Sequence, residues 1–257
     1  MLTRFQLRLH ARRLLALARE ELAAVAALFV AGLGLLAFVE IADEMSEGQE
    51  AVFDEAVLAA LRPHADPADA LGPWWLEEAM ADLTSLGGIS VLGLFAVAAV
   101  GFLLIQRKWL SGLMLSIGLA GGVVLSETTK GIFERARPPS AYQAVDTLNA
   151  SFPSGHALLS TTFYLTLAVM LAHALPQHRL KVYVLAIGIL IALLVGATRV
   201  YLGAHWVTDV LAGWSLGAFW AMTVWLLAFA FERWQRARGA PLQDEPPPAN
   251  DAPVIGE

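Results

Sequence analysis

Residues 182–197 read VYVLAIGILIALLVGA, sixteen positions without a charge, with Arg179 and Lys181 just before them and Arg199 just after. As a helix this run rises roughly 24 Å at 1.5 Å per residue, most of a bilayer hydrocarbon core of about 30 Å. Five further stretches share its character, near residues 22–39, 86–105, 110–125, 157–175 and 210–231. The expected fold is therefore all-α, a bundle of six transmembrane helices. Residues 1–21 form a basic segment ahead of the six-span domain at 22–231. Residues 232–257 form a tail, Pro-rich and polar after Gly239, expected to be largely disordered. The first apolar stretch follows a basic run as a signal peptide would. It lacks an A-x-A-like cleavage site and leads into five more spans, so it is read as retained.

The whole chain has the same bias. Of its 257 residues 57% are hydrophobic and 16% charged, and the mean hydropathy is +0.60, too apolar for a water-soluble domain of this size. There is no cysteine, which excludes disulfides, thiolate metal sites and a cysteine nucleophile. A net charge of −6 argues against a nucleic-acid partner, which calls for a basic stripe. Reading the connectors alternately, one side of the membrane collects Arg4, Arg8, Arg12, Arg13, Arg19, Arg107, Lys108, Arg179, Lys181, Arg233, Arg236 and Arg238, 12 of the 17 basic residues. By the positive-inside rule that side is the cytoplasm. Both termini are then cytoplasmic. The outer side receives Arg62, Lys130, Arg135, Arg137 and Arg199, with an acidic stretch at 43–82.

In that first outer loop Phe53, Val57 and Leu61 recur at helical spacing and Trp74 and Trp75 follow, which predicts short helices lying on the outer interface. Trp109, Trp206 and Trp234 fall at span ends, where an indole anchors depth. Gly118 with Gly122 and Gly213 with Gly217 are small-xxx-small pairs, read as packing inside one bundle rather than as dimer contacts.

Three clusters carry chemistry: Lys130-x6-Arg137-Pro138, Pro153-Ser154-Gly155-His156, and Arg199-x5-His205-x3-Asp209. They are separated by spans, yet alternating topology brings every one of these helix ends to the outer side. Lys130, Arg137 and Arg199 become three cations at the membrane edge, where charge is costly unless paired. A phosphate dianion is their natural partner, since guanidinium forks match its oxygens in pairs and Lys adds a point charge. Ser154 opens the fourth span and can cap it or donate to a phosphoryl oxygen. Gly155 lets the backbone N–H approach with no Cβ in the way, at a helix N-terminus that already favours anions. His205 and Asp209, four residues apart, share a face of the sixth helix's first turn. A carboxylate accepting from Nδ1 leaves Nε2 as a lone-pair nucleophile. His156 faces it as acid for the departing alkoxide, then as base for water.

Each fragment has an ordinary structural reading. Ser-Gly before an apolar run starts helices, a His–Asp pair caps one, Glu127 can pair with Lys130 one turn on, and Arg-Pro ends a helix. Ten specified residues in fixed order on one membrane face do not. The string resembles the signature of the type 2 phosphatidic acid phosphatase superfamily, K-x6-R-P, P-S-G-H and S-R-x5-H-x3-D. It departs only before Arg199, where Thr198 replaces Ser and keeps the hydroxyl. The resemblance spans the six-helix core. It implies that His205 is the nucleophile, Asp209 its orienting partner and His156 the acid and base. It further implies a phosphate cradle of Lys130, Arg137, Ser154, Gly155 and Arg199, with no metal or other cofactor. The implied partners are a lipid phosphate and the bilayer, with no nucleic acid and no obligatory protein. Undecaprenyl diphosphate, phosphatidylglycerophosphate and phosphatidic acid are the implied substrates, with a leaning to the first. His10, His64, His173 and His178 match no motif, the last two falling in a cytoplasmic loop. The competing readings are a lipid phosphotransferase using the same site, a vanadium-dependent haloperoxidase, which six spans disfavour, and a non-enzymatic anion-binding membrane protein.

Overall fold

A computed structural model of the chain describes residues 4–48, 51–63, 66, 69–144 and 149–238, with side chains from residue 21 onward. Within them the backbone is helical almost throughout: α1 Arg4–Glu47, α2 Ala51–Ala60, α3 Trp74–Ser85, α4 Ile89–Ile105, α5 Trp109–Phe133, α6 Gly155–Ala174, α7 His178–Tyr201 and α8 Val207–Ala237, with a short 3-10 turn at Ser140–Tyr142. Five helical segments are long and apolar enough to cross a membrane, Glu21–Glu47 of α1 and the whole of α5, α6, α7 and α8. α3 and α4 taken together also have the length and apolarity of a span, the sixth candidate, and are bent by 47° at their junction.

The apolar stretch expected over 86–105 is α4, which the bend joins to α3. Alone, α4 is 17 residues, about 26 Å, short of the hydrocarbon core. The break falls at Gly87 and Gly88, where there is no room for a side chain. An ideal Cβ on Gly87 would lie 2.3 Å from Val195 Cγ1 and 3.2 Å from the His156 carbonyl oxygen. Two glycines thus let the chain pass close beneath α6 and α7, at the cost of helix continuity. The expected helix around Phe53, Val57 and Leu61 is α2. Trp74 and Trp75 open α3, which packs on α7.

α6 is the centre of the bundle and packs against α5, α7 and α8, burying Ala157, Leu158, Ser160 and Phe163. α1 lies along α8, and apolar side chains such as Leu36, Val97 and Leu190 point outward, as a surface bathed in acyl chains requires. Both glycine pairs face into the bundle. Gly213 and Gly217 bring α8 against α6, where a Cβ would lie 2.7 Å from the carbonyl oxygens of Ser154 and Leu158 respectively. Gly118 and Gly122 face Leu159, Thr162 and Thr166 of α6. The close approach of α8 to α6 fixes how near the ends of those two helices come.

At the end of the bundle carrying the three clusters, Phe38 of α1 stacks on Phe152 at 5.9 Å, and Phe133 closes edge-on at 5.0 Å. With Ala42 and Ala212 they form an apolar clamp on the segment leading into α6. Arg62 donates to the carbonyls of Tyr142 and Tyr201 at 3.0 and 2.9 Å, tying the segment after α2 to the end of α7. Gly203 takes the left-handed turn that follows, with φ +67° and a Tyr142 carbonyl where a Cβ would be. At the opposite end α8 runs on to Ala237, past the expected limit at 231, with the Arg238 guanidinium 4.0 Å above Trp234. The Pro-rich tail beyond Gly239 lies outside the described residues.

Candidate active site

The three clusters meet at one end of the bundle. Lys130 occupies the last turn of α5, its Nζ 3.5 Å from Glu127 Oε1. That pair is lopsided. The Lys130 side chain is 12% exposed and the Glu127 side chain 58%, so the carboxylate stays in water and holds the ammonium weakly. The ammonium lies over Gly155 instead. An ideal Cβ there would sit 3.4 Å from Lys130 Nζ and 3.1 Å from Ser126 Oγ, so the missing side chain is what lets the cation reach the start of α6.

Ser154 is the N-cap residue of α6 but makes no side-chain cap bond. Its backbone N–H donates to the Asp209 carbonyl at 2.9 Å, stitching the starts of α6 and α8 together. Among the described residues four buried side-chain polar atoms have no partner, and three of them, Ser126 Oγ, Ser154 Oγ and Arg199 Nε, belong to these helix ends. Since buried polar groups are almost always satisfied, such a cluster marks donors held ready for a ligand. Arg199 is 5% exposed and its Nη1 donates to Thr84 of α3 at 3.1 Å. Thr198 is fully buried and its hydroxyl bonds back to the Val195 carbonyl at 2.6 Å, so Thr in place of Ser leaves that hydroxyl in use within α7.

His205 follows in the turn between α7 and α8, its backbone N–H on the Arg199 carbonyl at 3.2 Å. Its Nδ1 lies 3.4 Å from Asp209 Oδ2 and its Nε2 lies 3.1 Å from Arg137 Nη1. Guanidinium only donates, so Nε2 carries the lone pair and Nδ1 the proton. Arg137 is itself held by the carbonyls of Asn149 and Ala204 at 2.6 and 2.8 Å. Asp209 is fully enclosed. Its Oδ2 also accepts the Ser151 hydroxyl and, at 2.9 Å, the Trp206 backbone N–H, while Oδ1 accepts Arg135 Nη1 at 2.6 Å. His156 projects from the first turn of α6 beside the α3–α4 bend, with Cδ2 3.3 Å from where a Gly87 Cβ would be.

Comparison with known proteins decides the family. The PAP2 superfamily profile matches residues 109–233. Phosphatidylglycerophosphatase B of Bacillus subtilis is 40% identical over 147 residues, 56% of this chain and 70% of that protein. The chain belongs to the PAP2 superfamily. An undecaprenyl-diphosphatase of Sulfolobus acidocaldarius is 34% identical over 122 residues, 46% of this chain and 55% of that one. The crystal structure of the transmembrane PAP2-type phosphatidylglycerolphosphate phosphatase of Bacillus subtilis superimposes with a TM-score of 0.69 at 33% identity. It covers 76% of this chain and 94% of the other. This protein is thus a multi-pass PAP2 membrane phosphatase of lipid phosphates.

In this PAP2 phosphatase the eight residues expected to bind or transfer phosphate come together at this one end of the bundle. Four others there went unread. Arg135 stands among the six unspecified positions between Lys130 and Arg137, although it is a further cation in that same stretch. Ser126, one turn before Lys130, was a polar residue at the end of an apolar run. Ser151 and Thr84 had no signal at all, since contact with Asp209 and Arg199 arises only in three dimensions. Trp206, expected as a depth anchor, has its indole N–H on the Ala136 carbonyl at 2.9 Å and Arg135 over its ring at 5.8 Å, so it braces the site loop. His173 closes α6 and His178 opens α7, away from the site and inside helices rather than in the expected loop. The His10 side chain and His64 lie outside the described residues.

Burial, reinforced by Arg137 and Arg199 and only partly opposed by Asp209, lowers the His205 imidazole from 6.5 to about 4. Burial likewise lowers the Arg137 guanidinium, with Asp209 opposing. For His205 the consequence is a stability that depends on pH. The native ring resists protonation, so between about pH 6.5 and 4 the unfolded chain binds the extra proton, and acid favours unfolding across that window. The melting temperature of the wild type in detergent should fall between about pH 7 and 4.5 by several degrees more than that of His205→Asn. Equal slopes would show that the ring is not held neutral.

Proposed function

We propose that this PAP2 phosphatase hydrolyses phosphatidylglycerophosphate, or a lipid monophosphate or diphosphate of similar headgroup, through a phosphohistidine on His205 and without a metal ion. The single observation carrying this reading is the setting of His205. Its Nδ1 is turned to Asp209 and its Nε2 lone pair stands 3.1 Å from the Arg137 guanidinium, where a phosphate held by that guanidinium is within reach of the nucleophile. Nε2 attacks phosphorus and the bond to the leaving oxygen breaks, with His156 giving that oxygen its proton. Water then attacks the phosphohistidine, His156 takes a proton from it, and the P–N electrons return to Nε2. Lys130, Arg137 and Arg199, with Ser154 and the backbone N–H groups beside Gly155, bind the phosphoryl oxygens and supply the positive charge a metal would otherwise bring. The choice of phosphatidylglycerophosphate follows the activity named for the Bacillus subtilis relative and for the superimposed crystal structure.

The membrane orientation follows from charge. With 12 of the 17 basic residues on one side, both termini are cytoplasmic and the site opens on the outer face of the cell membrane. Purified protein in detergent with excess chelator should release phosphate from phosphatidylglycerophosphate faster than from undecaprenyl diphosphate or phosphatidic acid. Release from none of the three ends the reading. Label from a diphosphate donor appearing on a second lipid instead of in free phosphate would replace hydrolysis with phosphotransfer.

A further inference from the structure

α2 turns an apolar side outward, with Val52 79% and Phe53 51% exposed, and buries Asp54 at 2%. Asp is almost never enclosed so completely unless paired, and here the pairing leads to the nucleophile. Asp54 Oδ2 accepts Arg135 Nη2 at 2.8 Å and the Thr208 hydroxyl at 2.5 Å, while Oδ1 accepts the Thr208 backbone N–H at 3.1 Å. Arg135 uses its other amino group, Nη1, to reach the Thr208 hydroxyl at 2.8 Å and Asp209 Oδ1 at 2.6 Å. We propose that Asp54 is a positioning residue for the phosphatase reaction, acting through Arg135 to hold the Asp209 carboxylate in the plane and at the charge that orient His205.

Two features favour this over a purely structural tie. The first is geometric. Arg135 occupies Oδ1 of Asp209 and leaves Oδ2 to Ser151, the Trp206 N–H and His205 Nδ1, so it sets the rotation of the carboxylate. The second is electrostatic. Arg135 alone would neutralise Asp209 and weaken its pull on the imidazolium-like charge that develops on His205. Asp54 returns the trio to one net negative charge, and opposed charges so close and so enclosed are little screened. The burial of Arg135 works against its charge, yet Asp209 and Asp54 together raise its guanidinium above the ordinary range. Buried ion pairs contribute little net stability and are better explained by the geometry they impose. The first outer loop thus supplies part of the catalytic support, from a position 154 residues before Thr208.

This inference rests on His205 being the nucleophile, and a mutant cycle separates the two. Full-length Asp54→Asn, Arg135→Met and the double variant are assayed in detergent on phosphatidylglycerophosphate, with melting temperatures recorded. Asp54→Asn should lower kcat about thirtyfold with KM within threefold, because the phosphate cradle is untouched. The double variant should be no slower than Arg135→Met, because Asp54 acts through Arg135. A residue that merely capped α8 would give losses that multiply. Thr208→Val keeps both charges and the backbone cap and deletes only the hydroxyl between them. It should cost three- to tenfold in kcat and serves where Asp54→Asn does not fold. Multiplying losses, or kcat within twofold of wild type for Asp54→Asn or for Thr208→Val, overturn the inference and leave the nucleophile assignment standing. Turnover that survives His205→Ala overturns that assignment and this inference with it.

Discussion

His205→Ala should release phosphate at least about three orders of magnitude more slowly than the wild type, with the fold intact. The size follows from the role proposed for the imidazole: its Nε2 is the atom that would bond to phosphorus, and removal of a nucleophile from a cooperating set is not graded. The intact fold follows from the partners left behind. Asp209 keeps Ser151, the Trp206 N–H and Arg135, and Arg137 keeps the carbonyls of Asn149 and Ala204. The melting temperature near neutral pH should accordingly shift by no more than a few degrees. Single-turnover trapping with labelled lipid supplies the second readout, because acid-labile label on the protein should vanish in the variant. Turnover within tenfold of wild type, or label that persists, would mean that phosphorus is attacked by something else.

Asp209→Asn should be nearly as damaging to kcat, about a thousandfold or more, and should also cost stability. Every neighbour of this carboxylate donates: His205 Nδ1, the Ser151 hydroxyl, the Trp206 N–H and Arg135. An amide turns one of its two oxygens into a donor, so at least one of these meets a donor head-on, or the ring adopts the tautomer with its lone pair on Nδ1. An orienting carboxylate changed to an amide is known to stop a catalytic histidine by that route, at about ten-thousandfold in the serine protease case. Arg135 loses its charge pairing with Asp209, and breaking a buried pair typically costs about 3–5 kcal/mol. The retained Asp54 contact places the expected loss at the lower end. Asp209→Asn with wild-type kcat would show that Nδ1 needs no carboxylate.

The two variants separate chemistry from support, and the division matches what each residue touches. His205 meets Arg137 on one side and Asp209 on the other. Asp209 meets the start of α8, the segment before α6 and, through Arg135, Asp54 of α2. Loss of the first should stop the reaction, and loss of the second should stop it and loosen the assembly around it.

What the sequence determined by itself was the helical, membrane-spanning fold, the family, and the residues proposed to react. Uncharged runs such as residues 182–197 admit one solvent and one secondary structure, and fixed spacings such as four between His205 and Asp209 put two side chains on one face whatever the surroundings. These are local facts, set by helix geometry and by the cost of charge in hydrocarbon. The bend at Gly87 and Gly88, the unpartnered Ser154 hydroxyl, the Ser151 bond to Asp209, and the chain from Asp54 through Arg135 were decided by tertiary structure alone. Each depends on which helices touch and at what depth. Glycine at 213 and 217 sets that by letting α8 lie against α6, and no spacing along the chain records a contact between residues 54 and 208.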